Sequence, residues 1–168
     1  ALPILNNLYK HTQFQISYGI TLLMLDNGVP RTLGLRDIIS KYIDYQKEII
    51  IRRTRFDLNK AEKRVHILEG LKIALDNIDE IIKLIKASKS DEQAQTELME
   101  RFALTEIQAT AILEMKLRRL TGLERAKIEE ELKELLERIA YYQEILNSEQ
   151  KVLNIIREEL LEIKNKYS

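Results

Sequence analysis

The side chains best suited to chemistry in this sequence are basic and lie close together in its first half. Arg52-Arg53-Thr-Arg55 places three guanidinium groups within four residues, and Lys47 precedes them. Cations in a row along a helix can neutralise the phosphates of a nucleic acid. We refer to Lys47, Arg52, Arg53 and Arg55 as the basic strip, a candidate DNA-facing surface.

Ion pairing within the protein is the simpler interpretation of the basic strip. Asp57 and Glu62 follow it closely, and residues 123–168 carry 11 acidic against 8 basic side chains. No groove-reading motif accompanies the strip, as sequence-specific nucleic-acid binding would require. The residues therefore favour ion pairing over DNA contact and leave both open.

Residue types that carry catalysis are scarce. The chain has no Cys and only two His, His11 and His66, which excludes thiol catalysis and zinc fingers and argues against a His-based metal site. Phosphate-loop, zincin, serine-hydrolase and EF-hand motifs are absent from the sequence. Acidic runs such as Glu129-Glu-Glu131 are typical of solvated helix faces. The sequence therefore assigns no catalytic, cofactor-binding or metal-binding residue.

Composition limits the class of protein. Its 168 residues include 27 Lys+Arg and 27 Asp+Glu, so the formal net charge is zero. No apolar run approaches the roughly 18 residues of a membrane span, and no signal peptide opens the chain. We therefore expect a cytoplasmic protein without a membrane partner. Because the chain begins at Ala1 without Met, we also expect a fragment of something longer.

The distribution of Gly and Pro divides the elements at residue 34. Before it, residues 18–25, Asn27-Gly28 and residues 31–33 are typical of a strand, a hairpin turn and a second strand. Residues 2–12 fit a short helix or an extended segment equally well. After it, the only breakers are Gly70 and Gly122, which predicts an almost wholly helical chain.

Two long segments, residues 35–70 and 123–168, have the apolar spacing of coiled coils. The first seam is Leu35, Ile38, Tyr42, Tyr45 and Ile49, continued by Leu58, Ala61, Val65 and Leu68. The second is Ile128, Leu132, Leu135, Ile139, Tyr142 and Leu146, followed by a break at Asn147-Ser148 and a terminal helix. The charges favour pairing of these two segments with each other. Residues 31–75 carry 11 basic and 6 acidic side chains, whereas residues 123–168 are net acidic.

Residues 71–122, between these segments, read as several short helices. Ser90-x-x-Gln93 and Thr105-x-x-Gln108 are capping-box patterns that begin helices. We therefore predict a mainly α protein: a long antiparallel coiled-coil stalk with a small helical globular head at its tip, plus a short β-hairpin near the N-terminus. The predicted division is residues 1–34, 35–70, 71–122 and 123–168.

The predicted head carries more apolar side chains than a segment of its length can easily hide. They concentrate between Leu104 and Leu120. Surplus apolar surface on a small head is a candidate contact between copies of the chain. The alternative is that this surface packs inward on Ile78, Ile81, Ile82 and Ile85, and the pattern favours neither possibility.

Six short segments, taken in their order along the chain, resemble the sequence of a known protein family. They are Leu5-Asn-Asn-Leu-Tyr9, Ser17-Tyr-Gly-Ile20, Arg53-Thr-Arg-Phe56, Lys63-Arg-Val-His-Ile-Leu-Glu-Gly70, Ile78-Asp-Glu-Ile-Ile82 and Gln108-Ala-Thr-Ala-Ile-Leu-Glu-Met-Lys-Leu-Arg-Arg-Leu-Thr-Gly-Leu-Glu124. In this order they closely resemble the A subunits of bacterial DNA gyrase and, more loosely, those of topoisomerase IV. The turn at residues 120–124 is more similar to gyrase.

The resemblance implies a position within an ATP-dependent type II DNA topoisomerase, an isomerase. It implies the last part of the tower, the coiled coil, and the head that dimerises as the exit gate, or C-gate. In that family the nucleophilic tyrosine belongs to a winged-helix domain, and no tyrosine of this chain lies in such a motif. We therefore expect the chain to be inactive alone.

The resemblance also implies partners and site residues. The partners are a second copy of the chain through the head, the gyrase B subunit, and a DNA duplex held transiently between the arms. ATP and Mg²⁺ act through the B subunit in this family, so we expect no cofactor in this chain. The implied dimer contact consists of Ile107, Gln108, Ala111, Ile112, Met115 and Leu120.

Two other functions stay open at the level of sequence. One is a non-enzymatic coiled-coil scaffold that pairs with protein partners through its stalk. The other is a DNA-binding module that uses the basic strip, although the zero net charge argues against it.

Overall fold

The structure, a computed structural model, describes residues 2–115 and 122–168. The chain divides into two compact units, Ala1–Tyr45 and Gln46–Ser168. The described residues form seven helices and one two-stranded sheet, in agreement with the predicted mainly α fold. In chain order the elements are α1 (Leu2–His11), β1 (Leu23–Asp26), β2 (Val29–Thr32), α2 (Leu35–Asp76), α3 (Ile78–Ala87), α4 (Asp91–Phe102), α5 (Glu106–Glu114), α6 (Gly122–Leu146) and α7 (Glu149–Tyr167).

The first unit contains the β-hairpin predicted from Asn27-Gly28, with a first strand shorter than the predicted residues 18–25 and a second strand that begins two residues earlier than predicted. Its strands are antiparallel, and Asp26 pairs with Val29 beside the turn. Asn27 and Gly28 have φ values of 52° and 80°. Positive φ at both central residues is the requirement of a type I′ turn, which matches the twist of the flanking strands. The lead-in that the sequence left undecided is the helix α1.

In the second unit, α2 and α6 pair antiparallel, as predicted for the stalk. Arg64 of α2 forms an ion pair with Glu131 of α6, at 2.7 Å between Nε and Oε1. Further along α2, Asp76 pairs with Arg125, which is earlier in α6, at 2.6 Å. Residue numbers therefore rise along one helix as they fall along the other. We call these two helices the arms.

The predicted break between the last two helices is confirmed. α6 ends at Leu146 and α7 begins at Glu149. Beyond the break the chain turns back, because Val152 and Ile156 of α7 join Ile50 and Ile145 in one buried cluster. This end of the second unit is thus a three-helix bundle of α2, α6 and α7, an arrangement that the coiled-coil periodicity did not predict.

The buried seam of α2 starts later than predicted. Leu35, Tyr42 and Tyr45 are 68%, 46% and 57% exposed, so this part of the predicted seam is wrong for the described chain. The physical reason is that α6 ends next to Ile50, where its Ile145 is buried. The rest of the prediction holds, with Ala61, Val65 and Leu68 buried on α2 and Ile128, Leu132, Leu135, Ile139, Tyr142 and Leu146 partly buried on α6.

The head packs the end of α2 against α3, α4 and α5. Its most enclosed side chains are Leu68, Ile81, Leu98 and Ile112, one from each of the four helices and each with no measurable exposure. Helix α2 continues to Asp76, beyond the end at residue 70 that the sequence suggested. No helix in the described part of the chain is long and apolar enough to cross a membrane.

Candidate functional site

Helix α5 carries most of the predicted contact residues, and its first turn is firmly held. The predicted capping box is present: the Thr105 hydroxyl accepts a hydrogen bond from the Gln108 backbone N–H, and Gln108 Oε1 accepts one from the Thr105 backbone N–H. Reciprocal bonds of this kind satisfy two helix N–H groups that would otherwise lack partners. The start of α5 is therefore fixed by its own sequence.

The same turn is also joined to the arm helix α2. Gln108 Nε2 donates a hydrogen bond of 2.7 Å to the backbone oxygen of His66, and a 2.7 Å hydrogen bond links His66 Nε2 and Thr105 Oγ1. The helices approach closely here because Gly70 has no side chain; a Cβ at this position would lie 2.6 Å from Gln108 Cγ. Two hydrogen bonds and a close packing contact therefore hold the start of α5 on α2.

Burial separates the predicted contact residues into two groups. Ile107 is 62% exposed, whereas Gln108 is 6% exposed and Ile112 is fully buried. Within the single chain, Gln108 is hydrogen-bonded to α2 and Ile112 lies in the core of the head. Leu120 lies outside the described residues. The contact itself stays a prediction.

Of the remaining described members, Ile107 and Ala111 lie on α5 and Met115 follows at its C-cap. Ile107 is exposed, and Ala111 and Met115 are partly buried at intervals of four residues. Side chains four apart lie on the same helix face. Ala111 and Met115 also pack against the core of the head from its edge. One face of α5 therefore packs inward, as the second possibility raised by the sequence required, and Ile107 is left exposed.

The basic strip is divided between ion pairs and open surface. Lys47 Nζ lies 2.7 Å from Glu149 Oε1, and Arg53 lies 2.8 Å from Glu159 Oε1. Glu149 and Glu159 both belong to α7. Because the later residue of α2 pairs with the later residue of α7, the two helices run in the same direction. Arg52 and Arg55 are exposed on the outer side of α2. Ion pairing, the interpretation that the sequence favoured, therefore holds for Lys47 and Arg53.

Ion pairs between the helices also perturb their carboxylates. Arg64 binds Glu131 through two hydrogen bonds, of 2.7 and 3.0 Å. This hydrogen bonding lowers the pKa of Glu131 and raises that of Arg64, against a smaller opposing effect of burial. The hydrogen bond from Lys47 lowers the pKa of Glu149 in the same way. The opposite net charges of the two segments predicted that the arms attract each other. Which residues pair depends on how the helices are aligned, and this is seen only in the structure.

The described residues include no group of three or more His, Asp or Glu side chains arranged to hold a metal ion. What these residues form is a pair of antiparallel helical arms that carries a helical head. On the head, Ile107 is exposed on α5, the helix that is hydrogen-bonded to α2. This fold defines the chain as a helical arm-and-head module.

The particular family follows from comparison with known proteins. The model of the family of DNA gyrase/topoisomerase IV A subunits matches residues 2–161. The chain belongs to this family.

Individual relatives match along the whole chain. It is 58% identical to the DNA gyrase A subunit of Halalkalibacterium halodurans and 55% identical to that of Streptococcus pneumoniae serotype 4. It is 56% identical to that of Streptococcus pyogenes serotype M18. Each match covers all 168 residues of this chain and 20% of the relative. The chain thus spans about a fifth of the length of the relatives it matches.

Proposed function

We propose that this chain is the coiled-coil and exit-gate module of a DNA gyrase A subunit, part of a type II topoisomerase. That enzyme introduces negative supercoils by passing one duplex through a double-strand break, with ATP and Mg²⁺ acting through the B subunit. In this proposal the heads of two copies meet, hold the dimer, and part to let the transported duplex leave. Family membership and the arm-and-head fold support it.

The observation that carries the proposal is the exposure of Ile107 on a helix that is otherwise packed and tied down. Its 62% exposure contrasts with the hydrogen bonds that fix Thr105 and Gln108 on either side of it. Exposed polar residues, including Glu106, Thr110 and Glu114, surround it. A small apolar centre with a polar rim suits a contact that must hold and then separate.

The ties between α5 and α2 suit a gate that moves as a rigid body. Opening requires the heads to separate without losing their own cores. Because Gln108 is hydrogen-bonded to His66 and packs over Gly70, displacement of the arm would move the contact helix as one piece. The same reasoning applies if the chain serves a topoisomerase IV A subunit.

A scaffold that pairs through its stalk is the second candidate, and one observation favours it. Phe56 on α2 is 69% exposed, although it lies on an arm rather than on the head. An aromatic side chain that is not covered by its own chain could pack against an arm of another copy.

Sedimentation equilibrium on the 168-residue chain separates these candidates. The variant Ile107→Asp places a charge on the proposed head contact, and Phe56→Asp is its matched control on the arm. Ile112→Asp would be uninformative, because a carboxylate in the core of the head would unfold it. Far-UV circular dichroism of each variant verifies that the fold is retained.

Under the gate proposal the chain sediments as a dimer of twice its 19.8 kDa mass. Ile107→Asp then yields a monomer, and Phe56→Asp remains a dimer. If instead Phe56→Asp is a monomer and Ile107→Asp a dimer, the chain pairs through its stalk and the gate proposal is wrong. A wild-type chain that stays monomeric over the whole concentration range would also contradict a head that dimerises by itself.

A further inference from the structure

The turn of the β-hairpin places a side-chain amide next to an uncrowded backbone nitrogen. Asn27 is exposed, and the residue that follows it, Gly28, has no side chain. A Cβ at Gly28 would meet no atom within 4 Å, so the space beside this residue is open. Two adjacent residues therefore present an electrophilic carbon, Cγ of the Asn27 amide, and a nitrogen that can attack it to close a small ring.

Hydrogen bonds restrain neither of these groups. Among the residues that the structure describes, the backbone N–H of Gly28 has no hydrogen-bond acceptor. The Asn27 amide donates from Nδ2 to Asp26 Oδ1 over 3.4 Å, which is longer than the usual range for an N–H···O bond. The Asp26 carboxylate is also bound by Lys41, at 3.2 Å. The amide of Asn27 is therefore weakly held and can rotate towards the Gly28 nitrogen.

The hairpin around the turn opposes this movement only slightly. Its strands have four residues each, and in the described part of the chain no third strand pairs with them. All of these strand residues are exposed except Asp26, which is partly covered. A two-stranded hairpin without a buried face is marginally stable in water. Ring closure requires the Asn27 backbone to leave its turn conformation, and local opening of such a hairpin costs little free energy.

The other asparagines of the chain lack this combination. Asn77 donates its side-chain amide to the Ile73 backbone oxygen at 2.9 Å. Asn147 precedes Ser148, whose N–H is hydrogen-bonded to a backbone oxygen at 3.3 Å. The rest lie inside helices, where the following backbone N–H belongs to the helix: Asn6, Asn7, Asn59, Asn154 and Asn165. Within the described residues, Asn27 alone unites exposure, a following glycine and an unbonded N–H.

We propose that Asn27 is a site of spontaneous deamidation in the folded chain. The Gly28 nitrogen loses its proton to water and attacks Asn27 Cγ. The new N–Cγ bond closes a succinimide ring, the Cγ–Nδ2 bond breaks, and the amide nitrogen takes up a proton and leaves as ammonia. Water then adds to either ring carbonyl and opens the ring to aspartate or to isoaspartate. The amide and one water thus become a carboxyl group and ammonia, and nothing is oxidised or reduced.

The two products alter the turn in different ways. Aspartate at position 27 preserves the backbone and places a second carboxylate beside Asp26, which already pairs with Lys41. Isoaspartate inserts a methylene group into the backbone, so the two-residue turn that pairs Asp26 with Val29 no longer closes in the same register. The isoaspartate form therefore loosens the hairpin. This site lies in the first unit and is independent of the proposed gate.

Peptide mapping by mass spectrometry, during incubation of the 168-residue chain at neutral pH, tests the proposal. We expect the peptide that contains Asn27 to gain the mass difference between an amide and an acid, and electron-transfer fragmentation to find both aspartate and isoaspartate. The peptide that contains Asn147 is the internal control and should convert severalfold more slowly. Concentrated urea should accelerate conversion at Asn27 by no more than about tenfold, because the hairpin gives little protection.

A pair of glycine variants tests the role of the neighbouring nitrogen. Gly28→Ala places a methyl group beside the attacking atom and should slow conversion at Asn27 severalfold, even though alanine at a φ of 80° strains the turn. Gly19→Ala, at another open glycine, should leave the rate unchanged. The proposal is overturned if Asn27 converts in urea but not in the folded chain, or if Asn147 converts equally fast. It is also overturned if isoaspartate is absent, or if Gly19→Ala slows conversion as much as Gly28→Ala.

Discussion

The side chain of Gln108 links helix α5 of the head to helix α2 of the arms. Its amide closes the capping box with Thr105, donates to the His66 carbonyl, and packs against Gly70. An amide inside a head would be costly without these partners, because a buried polar group must replace its lost hydrogen bonds to water. Gln108 therefore belongs to the joint between head and arm, and the contact role that the family resemblance implied for it stays a prediction.

Gly70 makes that joint possible, and Gly70→Ala tests it. Alanine would gain about 1 kcal/mol in helix propensity, but its Cβ would lie 2.6 Å from Gln108 Cγ and 2.7 Å from Gln108 Cβ. The hydrogen bonds of Gln108 prevent it from moving aside. We expect a net loss of about 1–2 kcal/mol in the free energy of unfolding, measured by urea denaturation.

Gly19→Ala is the matched control for that substitution. No atom lies within 4 Å of a Cβ at Gly19, so we expect a change within about 0.5 kcal/mol. If Gly70→Ala proved as stable as this control, the close approach of α5 to α2 would be disproved.

At the scale of elements, the Arg64–Glu131 pair joins the two arms in a pH-dependent way. The pKa of Glu131 is lower in the folded chain than its ordinary value of 4.5. A carboxyl with a lowered folded pKa stabilises the fold at pH values above its unfolded pKa, and this stabilisation is lost as the pH falls through the folded pKa. Because the side chain is 42% exposed, we expect a contribution below about 1 kcal/mol at pH 7.

Glu131→Gln should therefore lower the melting temperature at pH 7 and have little effect once the pH is well below 4.5. Glu130→Gln alters the neighbouring exposed carboxylate and should leave the melting temperature nearly unchanged at both values. Thermal unfolding at the two pH values checks this. A deficit of Glu131→Gln that persists unchanged in acid would show that the ion pair is not its cause.

The return of α7 onto the arms depends on a few apolar side chains. Ile156 is 6% exposed and packs with Ile50 and Ile145, whereas Leu160, one turn later, is 41% exposed. Ile156→Ala should cost about 2–4 kcal/mol through lost burial and the cavity left behind. Leu160→Ala should cost about 0.5 kcal/mol or less. Urea denaturation measures both, and equal losses would contradict the described packing of α7.

Sequence patterns predicted the helices and the hairpin better than they predicted which helices pack against each other. Thr105-x-x-Gln108 and Asn27-Gly28 specify local backbone bonds and φ values, so the caps and the turn could be predicted directly. The burial of Ile50 could not, because a coiled-coil spacing shows which residues share a face without showing where the partner helix ends. The pairing of Arg53 with Glu159 could not be predicted either, because the two residues are 106 positions apart and only the return of α7 brings them together.

At the scale of the whole molecule, charge is balanced by pairing between distant segments. The formal net charge is zero. Among the residues that the structure describes, four ion pairs join α2 to the last two helices, at residues 47–149, 53–159, 64–131 and 76–125. Part of the basic strip is used in these pairs. Of the basic strip, Arg52 and Arg55 remain exposed and outside these pairs.

This balance predicts weak and salt-sensitive binding of duplex DNA by the isolated chain. Each phosphate neutralised contributes about 0.9 to the slope of log affinity against log salt. Arg52→Gln/Arg55→Gln should therefore lower that slope by about 2, as measured by fluorescence anisotropy across a range of NaCl concentrations. Arg101→Gln, an exposed arginine of the head, should leave it unchanged. If the double variant kept the full slope, the exposed arginines would not contact phosphate, and the basic strip would be explained by ion pairing and solvation alone.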